Sequence, residues 1–164
     1  MTAPSELAHD VLQKAFRGAM AQVATPVSVV TTQTPAGVHG TTVSAVASLS
    51  MEPPMMLISL DRRSRLLSSI DIGAVLGVNI LASGQEPLAS LFAGKDRDGF
   101  AGVDWTMRRG APALADCHAW VALRATRLVE AGDHVIVLSD VIDAETGEGD
   151  PLTYWRRTFG THRS

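Results

Sequence analysis

The sequence predicts a mainly β fold: one domain over residues 1–164, built as a small antiparallel barrel with peripheral helices. A length of 164 residues suits a single compact domain, and 46% hydrophobic against 19% charged residues provide enough apolar surface for a core. Several short strand-like segments follow one another, and long helices do not alternate with them. A doubly wound parallel sheet requires that alternation, so the sequence favours the antiparallel barrel.

A helix is predicted over about residues 5–22, ahead of the barrel at about 25–159. Ser5 has the side chain of an N-cap. Pro26 disfavours helical geometry at the residue before it and so ends the helix. The apolar residues that recur at helical spacing are Leu7, Val11, Ala15 and Ala19, with Leu12 and Phe16 widening the stripe.

The other elements are predicted from apolar alternation, apolar runs and turn residues. The first two strands form a hairpin around Thr34-Pro35-Ala36-Gly37. The predicted strands are 27–32, 38–44, 55–60, 75–81, 119–130 and 134–142. Short helices are predicted at 62–70 and 86–93, and a polar loop at 94–102.

Composition and charge exclude several classes of function. Lys and Arg total 14 against 17 Asp and Glu, a net charge of -3, so no positive field favours nucleic acid. The single Cys117 makes neither an internal disulfide nor a multi-cysteine zinc site. The start of the chain has no apolar signal core, and no apolar run approaches the roughly 20 residues that span a bilayer. We therefore expect a cytoplasmic domain with no membrane or nucleic-acid partner.

Common catalytic motifs are missing from the sequence. It contains neither a dinucleotide-binding G-x-G-x-x-G after a strand nor a P-loop, and no G-x-S-x-G nucleophile elbow. The five histidines never occur at metal-ligand spacing, so no metal site is predicted. An enzyme of this composition would rely on the chemistry of a bound cofactor.

The segment 41–50 is the best candidate binding site. Small hydroxyl side chains alternate there with small apolar ones, which lets a planar ligand approach the backbone. The hydroxyl residues are Thr41, Thr42, Ser44, Ser48 and Ser50. An ordinary strand with one solvated face explains the same pattern, and composition alone favours that explanation. Gly40 supports a site, because glycine permits close approach to the backbone.

Two other polar residues are conspicuous in apolar surroundings. His134 begins a strand after Gly132-Asp133, where an imidazole could donate a hydrogen bond or transfer a proton. A histidine that only satisfies the turn is the simpler explanation. Asn79 lies inside an apolar strand, so its amide needs a partner, which could be backbone or ligand.

Ordered motifs from Phe16 to Phe159 resemble the short-chain flavin reductases that serve two-component flavin-dependent monooxygenases. No single motif is specific, but together they cover almost the whole chain in the same order. The motifs are Phe16-Arg17-Gly18-Ala19-Met20, Thr25-Pro26-Val27-Ser28-Val29-Val30-Thr31, Gly40-Thr41-Thr42-Val43-Ser44-Ala45, Ser48-Leu49-Ser50-Met51-Glu52-Pro53-Pro54, Val78-Asn79-Ile80-Leu81, Leu91-Phe92-Ala93, Gly110-Ala111-Pro112-Ala113-Leu114, Gly132-Asp133-His134 and Pro151-Leu152-Thr153-Tyr154-Trp155.

The resemblance implies a fold and an activity. The fold is an FMN-binding split β-barrel of Greek-key, antiparallel topology that forms a homodimer. The activity is reduction of FMN or FAD by NADH or NADPH, with reduced flavin passing to a partner monooxygenase.

The resemblance also implies which residues form the site. His134 meets the nicotinamide end of the hydride donor. The residues implied to bind flavin are Thr25, Pro26, Val27, Ser28, Thr41, Thr42, Val43, Ser44, Ala45, Ser48 and Asn79, with Ser50, Ser64 and Arg65 as phosphate contacts.

Departures from the family pattern leave the choices of flavin and donor open. Gly99-Phe100 stands where the family often has a basic residue before the phenylalanine, and Phe159 stands where it has a tyrosine. Two other functions remain as alternatives: an oxidase like pyridoxamine-phosphate oxidase, and a non-catalytic flavin or heme carrier.

Overall fold

The computed structural model describes residues 6–94 and 99–162, and it confirms that the protein is mainly β. In these described ranges, two helices and a 3-10 turn accompany twelve strands. The elements are α1 (Glu6–Met20), β1 (Thr25–Pro26), β2 (Ser28–Thr34), β3 (Gly37–Val43), β4 (Val46–Met51), β5 (Pro54–Asp61), the 3-10 turn Leu67–Ser69, β6 (Val75–Ile80), α2 (Glu86–Ala93), β7 (Trp105–Arg108), β8 (Ala111–Leu114), β9 (Ala119–Ala131), β10 (His134–Thr146), β11 (Leu152–Trp155) and β12 (Thr158–Thr161).

A seven-stranded antiparallel sheet forms the body of the protein. Its strand order is β3-β2-β6-β9-β10-β5-β4. Within the described residues the hydrogen-bonded ladder does not close, and β3 and β4 are its two edges. Only Ser44 and Ala45 connect these edge strands, so Val43 and Val46 lie within about 11 Å of each other, three Cα steps. The sheet therefore curls so that the end of β3 comes close to the start of β4 at this corner, but the predicted barrel does not close in the described residues.

Apolar side chains pack against both faces of the curled sheet. One cluster includes Val30, Ile58 and Leu123, all fully buried. On the other face, α2 contributes Phe92 to a second cluster. A Cβ at Gly40 would lie 2.9 Å from the Phe92 ring, so this glycine makes room for α2. Packing against α2 is thus one reason for a glycine at this position, and its role in admitting a ligand stays a prediction.

The predicted helix over 62–70 is wrong, because only the 3-10 turn at Leu67–Ser69 forms there. The carboxylate of Asp61 accepts the backbone N–H of Arg63, and the Ser68 hydroxyl donates to the carbonyl of Arg65. Side chains that bond to nearby backbone in this way compete with helical hydrogen bonds.

Two hairpins were not predicted from the sequence: β7–β8 and β11–β12. The β11–β12 turn places Arg156 and Arg157 at positive φ, 47° and 64°. Hairpin turns of this kind usually carry Asn or Gly, and this turn has two arginines instead. The sequence therefore lacks the residues from which such a hairpin is normally predicted. The other predicted strands and the helix at 86–93 are confirmed within a few residues, apart from the longer β10.

Helix α1 confirms the predicted N-terminal helix but leaves Val11, Leu12 and Phe16 of its apolar stripe exposed. Leu12 and Phe16 are 67% and 61% exposed. The segment after the helix is held to β11, where the Trp155 indole N–H donates to the carbonyl of Gln22 at 3.1 Å. Ser5 lies outside the described residues. Neither helix in the described part of the chain has the length or apolar character needed to cross a membrane.

Candidate functional site

The corner between the two edge strands brings several predicted site segments together. Ser28, the first residue of β2, pairs with Val43 at the end of β3. Beyond the corner, the Ser59 N–H donates to the carbonyl of Ala45, and Val46 pairs with Ile58. The segments 25–28 and 41–48 therefore meet at one end of the curled sheet.

Exposure divides the predicted residues at this corner into two groups. Val27, Ser28 and Val43 are buried. Ser44, Ala45 and Ser48 are exposed, as is Pro26, while Thr25 is half-buried. A ligand at the corner would touch small side chains and the outer edge of β4, which no strand pairs in the described residues. An unpaired edge offers backbone N–H and C=O groups for hydrogen bonds.

The two threonines of β3 use their hydroxyls within the protein. Thr42 donates to the carbonyl of Ala89 at 2.7 Å, and Thr41 donates to the carbonyl of Phe92 at 3.4 Å. These bonds fasten α2 to the edge strand. Their hydroxyl protons are thus committed to α2, although each oxygen can still accept a hydrogen bond.

Asn79 is buried, and the backbone alternative accounts for its amide. Its nitrogen donates to the carbonyl of Val29 at 3.0 Å and to Thr31 Oγ1 at 3.3 Å. Its oxygen accepts the N–H of Leu114 at 2.7 Å. With no exposed surface, the side chain ties β8 onto the sheet and has no access to a ligand at the corner.

A cleft of about 740 Å³ opens beside the corner. Ser64 and Arg65 line this cleft together with Thr41, and so do His39 and Arg63, which the sequence analysis did not single out. The cleft also contains Asp61, whose two carboxylate oxygens bind the Arg63 guanidinium at 3.1 and 2.9 Å. This pairing holds the pKa of Asp61 far below its usual value of 3.8.

Ser50 lies far from the other predicted phosphate contacts. It pairs with Met55 on β5, whereas Ser64 follows Asp61 at the other end of that strand. Met55 and Asp61 are six residue steps apart on the strand, roughly 20 Å at about 3.3 Å per residue. One phosphate group could not contact Ser50 and Ser64 together.

His134 begins β10 at the same end of the sheet as the cleft. Its cross-strand partner on β5 is Asp61. The imidazole Nδ1 lies 2.8 Å from Oδ1 of Asp133, and the side chain is 41% exposed. Only β5 separates β10 from β4, so His134 lies about two strand spacings, roughly 10 Å, across the sheet from β4. Its partner Asp61 also lies three residues beyond Ile58, the partner of Val46, which adds an offset of roughly 10 Å along the strands.

A second cavity of about 660 Å³ lies between the β7–β8 hairpin and the end of β10. Arg108 pairs there with Glu145 and stacks 4.8 Å above the ring of Trp120. Cys117 also lines it, and burial raises the pKa of this thiol to about 12. None of the predicted site residues lines this cavity, and Cys117 remains an unreactive thiol.

No group of three potential ligand side chains in the described residues could hold a metal ion. The side chains at this end of the sheet offer hydrogen bonds, arginine cations and the imidazoles of His39 and His134. Such a set can bind and orient an anionic, planar ligand.

Comparisons with known proteins place the chain among flavin reductases. It is 37% identical over 157 residues to the FMN reductase (NADH) RutF of Bradyrhizobium diazoefficiens, covering 93% of this chain and 87% of that protein. It is 36% identical over 145 residues to the reductase component of a 4-nitrophenol monooxygenase from Rhodococcus opacus, covering 88% and 78%. The structure matches the NADH:FAD oxidoreductase SgcE6 of Streptomyces globisporus, in complex with NAD and FAD fragments, with a TM-score of 0.85 at 29% identity, covering 92% and 93%.

A family model described as the flavin reductase like domain matches residues 20–163, most of the chain. The resemblance found in the sequence motifs is thereby confirmed, and so is the expectation of a flavin oxidoreductase. The chain belongs to the flavin reductase like domain family.

Proposed function

We propose that this protein transfers hydride from NADH or NADPH to FMN or FAD and releases the reduced flavin to a partner monooxygenase. The observation that carries the proposal is the corner of small exposed residues, which opens beside a cleft lined by two arginines. RutF and SgcE6 are named for NADH and for FMN or FAD, which supports the same substrates here. The Rhodococcus relative is named as a monooxygenase component, which supports the partner.

The residues at the corner fit a flavin. Ser44, Ala45 and Ser48 are small and exposed, so a flat ring could approach the free edge of β4. Backbone N–H groups there would stabilise negative charge on the pyrimidine edge of the reduced ring. Beside them, Ser64 and Arg65 would hold the phosphate in the cleft.

The flavin supplies the acceptor of the hydride, so the protein has to bring the two rings together. His134 would bind the nicotinamide end of the donor, because its half-exposed imidazole faces the same end of the sheet. The neutral corner provides few strong contacts. Weak binding suits a flavin that has to leave after reduction.

We also propose that two copies form the split-barrel homodimer that the resemblance implies. An isolated 15-residue helix is marginal in water, yet Val11, Leu12 and Phe16 of α1 are exposed in the single chain. Leu49 and Met51 on the free edge strand β4 are also exposed, at 44% and 79%. A second copy would cover these surfaces. Light scattering of the purified protein should give twice 17.4 kDa, and a value of 17.4 kDa would contradict the dimer.

The test of the activity is oxidation of NADH and NADPH at 340 nm, with FMN, FAD or riboflavin each added or omitted. We expect oxidation that requires added flavin and saturates with it. A protein that binds flavin but oxidises neither donor would support a carrier instead. Oxidation of a dedicated substrate by a tightly held flavin would support the oxidase alternative.

A further inference from the structure

In the turn between β9 and β10 the half-exposed side chain of His134 is hydrogen-bonded to that of Asp133, which is 91% exposed. Its Nδ1 lies 2.8 Å from Oδ1 of Asp133, the preceding residue. Arg62 pins the backbone of this turn: its N–H donates to the carbonyl of Asp133 and its Nε–H to the carbonyl of Gly132 at 2.9 Å. The carboxylate of Asp133 therefore belongs to a turn in which two consecutive backbone carbonyls, those of Gly132 and Asp133, are hydrogen-bonded to Arg62.

The charge of Asp133 decides which imidazole nitrogen carries the proton. The hydrogen bond from His134 lowers the pKa of this carboxyl below its usual value of 3.8. Asp133 is thus ionised at neutral pH, and an ionised carboxylate only accepts hydrogen bonds. Nδ1 must then be the donor, whether the imidazole is neutral or charged.

The other charged groups near His134 are paired with groups other than its imidazole. Asp61 lies opposite His134 on β5, but Arg63 binds both of its oxygens. Arg62 pairs with Glu130 at 3.2 Å. Among the described residues, Asp133 is the carboxylate hydrogen-bonded to the imidazole.

We propose that Asp133 is a positioning residue that keeps His134 in the Nδ1–H tautomer, so that Nε2 accepts a hydrogen bond from the carboxamide N–H of the hydride donor. The donor contact rests on the proposed function, whereas the tautomer does not. A neutral acceptor at Nε2 suits the nicotinamide carboxamide, whose nitrogen only donates. In histidines that contact a ligand through one ring nitrogen, the hydrogen bond made by the other ring nitrogen commonly sets the tautomer in this way.

The tautomer is tested by long-range proton–nitrogen NMR of the imidazole at pH 9, above the usual range of histidine titration. We expect the wild type to carry the proton on Nδ1. Asp133→Ala should shift His134 towards the Nε2–H form that an unconstrained histidine side chain favours in water. Asp140→Ala removes a carboxylate about 20 Å along the same strand and should leave the spectrum of His134 unchanged. A wild-type proton on Nε2, or no change in Asp133→Ala, would overturn the proposal.

The donor contact is tested with reduced 3-acetylpyridine adenine dinucleotide, whose acetyl group has no N–H to donate. We expect the wild type to have a higher kcat/KM with NADH than with this analogue. The ratio of the two kcat/KM values should fall about threefold to tenfold in Asp133→Ala, because a change of that size corresponds to the loss of one hydrogen bond. An unchanged preference would overturn the donor contact. If the wild type oxidises no NADH, the proposed function fails and the donor contact with it, while the NMR result still decides the tautomer.

Discussion

Replacing Asn79 with alanine separates a structural role from a ligand-binding role at that position. The substitution removes three hydrogen bonds, to Val29, Thr31 and Leu114, from a site with no exposed surface. The N–H of Leu114 loses its acceptor in the interior, which costs about 1–3 kcal/mol, and the lost donor bonds add about 1 kcal/mol. We expect the free energy of unfolding to fall by about 2–4 kcal/mol, which lowers Tm by roughly 5–15 °C in a domain of this size.

Two measurements decide the outcome for Asn79→Ala. Urea unfolding at fixed protein concentration, followed by tryptophan fluorescence, gives the loss of stability. Calorimetric titration with FMN gives the Kd, which should stay within a factor of about two, a few tenths of a kcal/mol. Gln33→Ala removes an amide from the exposed surface and serves as the matched control, with little effect on either quantity. If Asn79→Ala lost FMN affinity and kept its stability, the structural assignment of Asn79 would be wrong.

Three further outcomes follow from individual contacts. Gly77→Ala should lower the free energy of unfolding by about 1–3 kcal/mol, because the added Cβ would lie 2.8 Å from the carbonyl oxygen of Pro112. If urea unfolding of this variant matched the wild type, that packing would be contradicted. Arg65→Ala should weaken FMN binding about tenfold and leave riboflavin binding unchanged in calorimetric titrations, since only FMN carries a phosphate; equal losses for both would place the phosphate elsewhere. Asp61 has a pKa lowered by Arg63, so its folded pKa lies below its unfolded pKa, and its contribution to stability is present at neutral pH and lost as pH falls below about 5. The advantage of the wild type over Asp61→Asn in urea unfolding should therefore shrink between pH 6 and pH 3, and a constant difference would contradict the pairing.

The long strands of the sheet were predictable because their apolar patterns and their turns agree. Val75–Ile80 is an apolar run, and the turn before His134 carries Gly132 at a φ of 62°, which glycine adopts without strain. The helix predicted over 62–70 failed because Asp61 and Ser68 bond to nearby backbone there. The spacing of apolar residues indicates which side chains would share one face of a helix. It does not show whether nearby side chains compete with the helical hydrogen bonds of the backbone.

The candidate site was predictable in its segments and less so in its individual residues. Alternation of small residues identified the corner around Ser44, although the neighbouring Thr42 turned out to bond to α2. The role of Asn79 could not be read from the sequence, because its partner Leu114 is 35 residues away along the chain. Arg63 gave no motif of its own, and its place in the cleft depends on how the end of β5 meets β3.

The central claim, that flavin binds at the corner between β3 and β4, is tested most directly by filling that corner. Ala45→Trp places a large side chain on its exposed surface, and Ala144→Trp makes the same change on an exposed part of β10 outside the corner. Calorimetric titration with FMN should show a Kd at least about tenfold weaker for Ala45→Trp, a loss of roughly 1.4 kcal/mol, and an unchanged Kd for Ala144→Trp. If Ala45→Trp bound FMN as tightly as the wild type, flavin would bind elsewhere and the account of this site would be wrong.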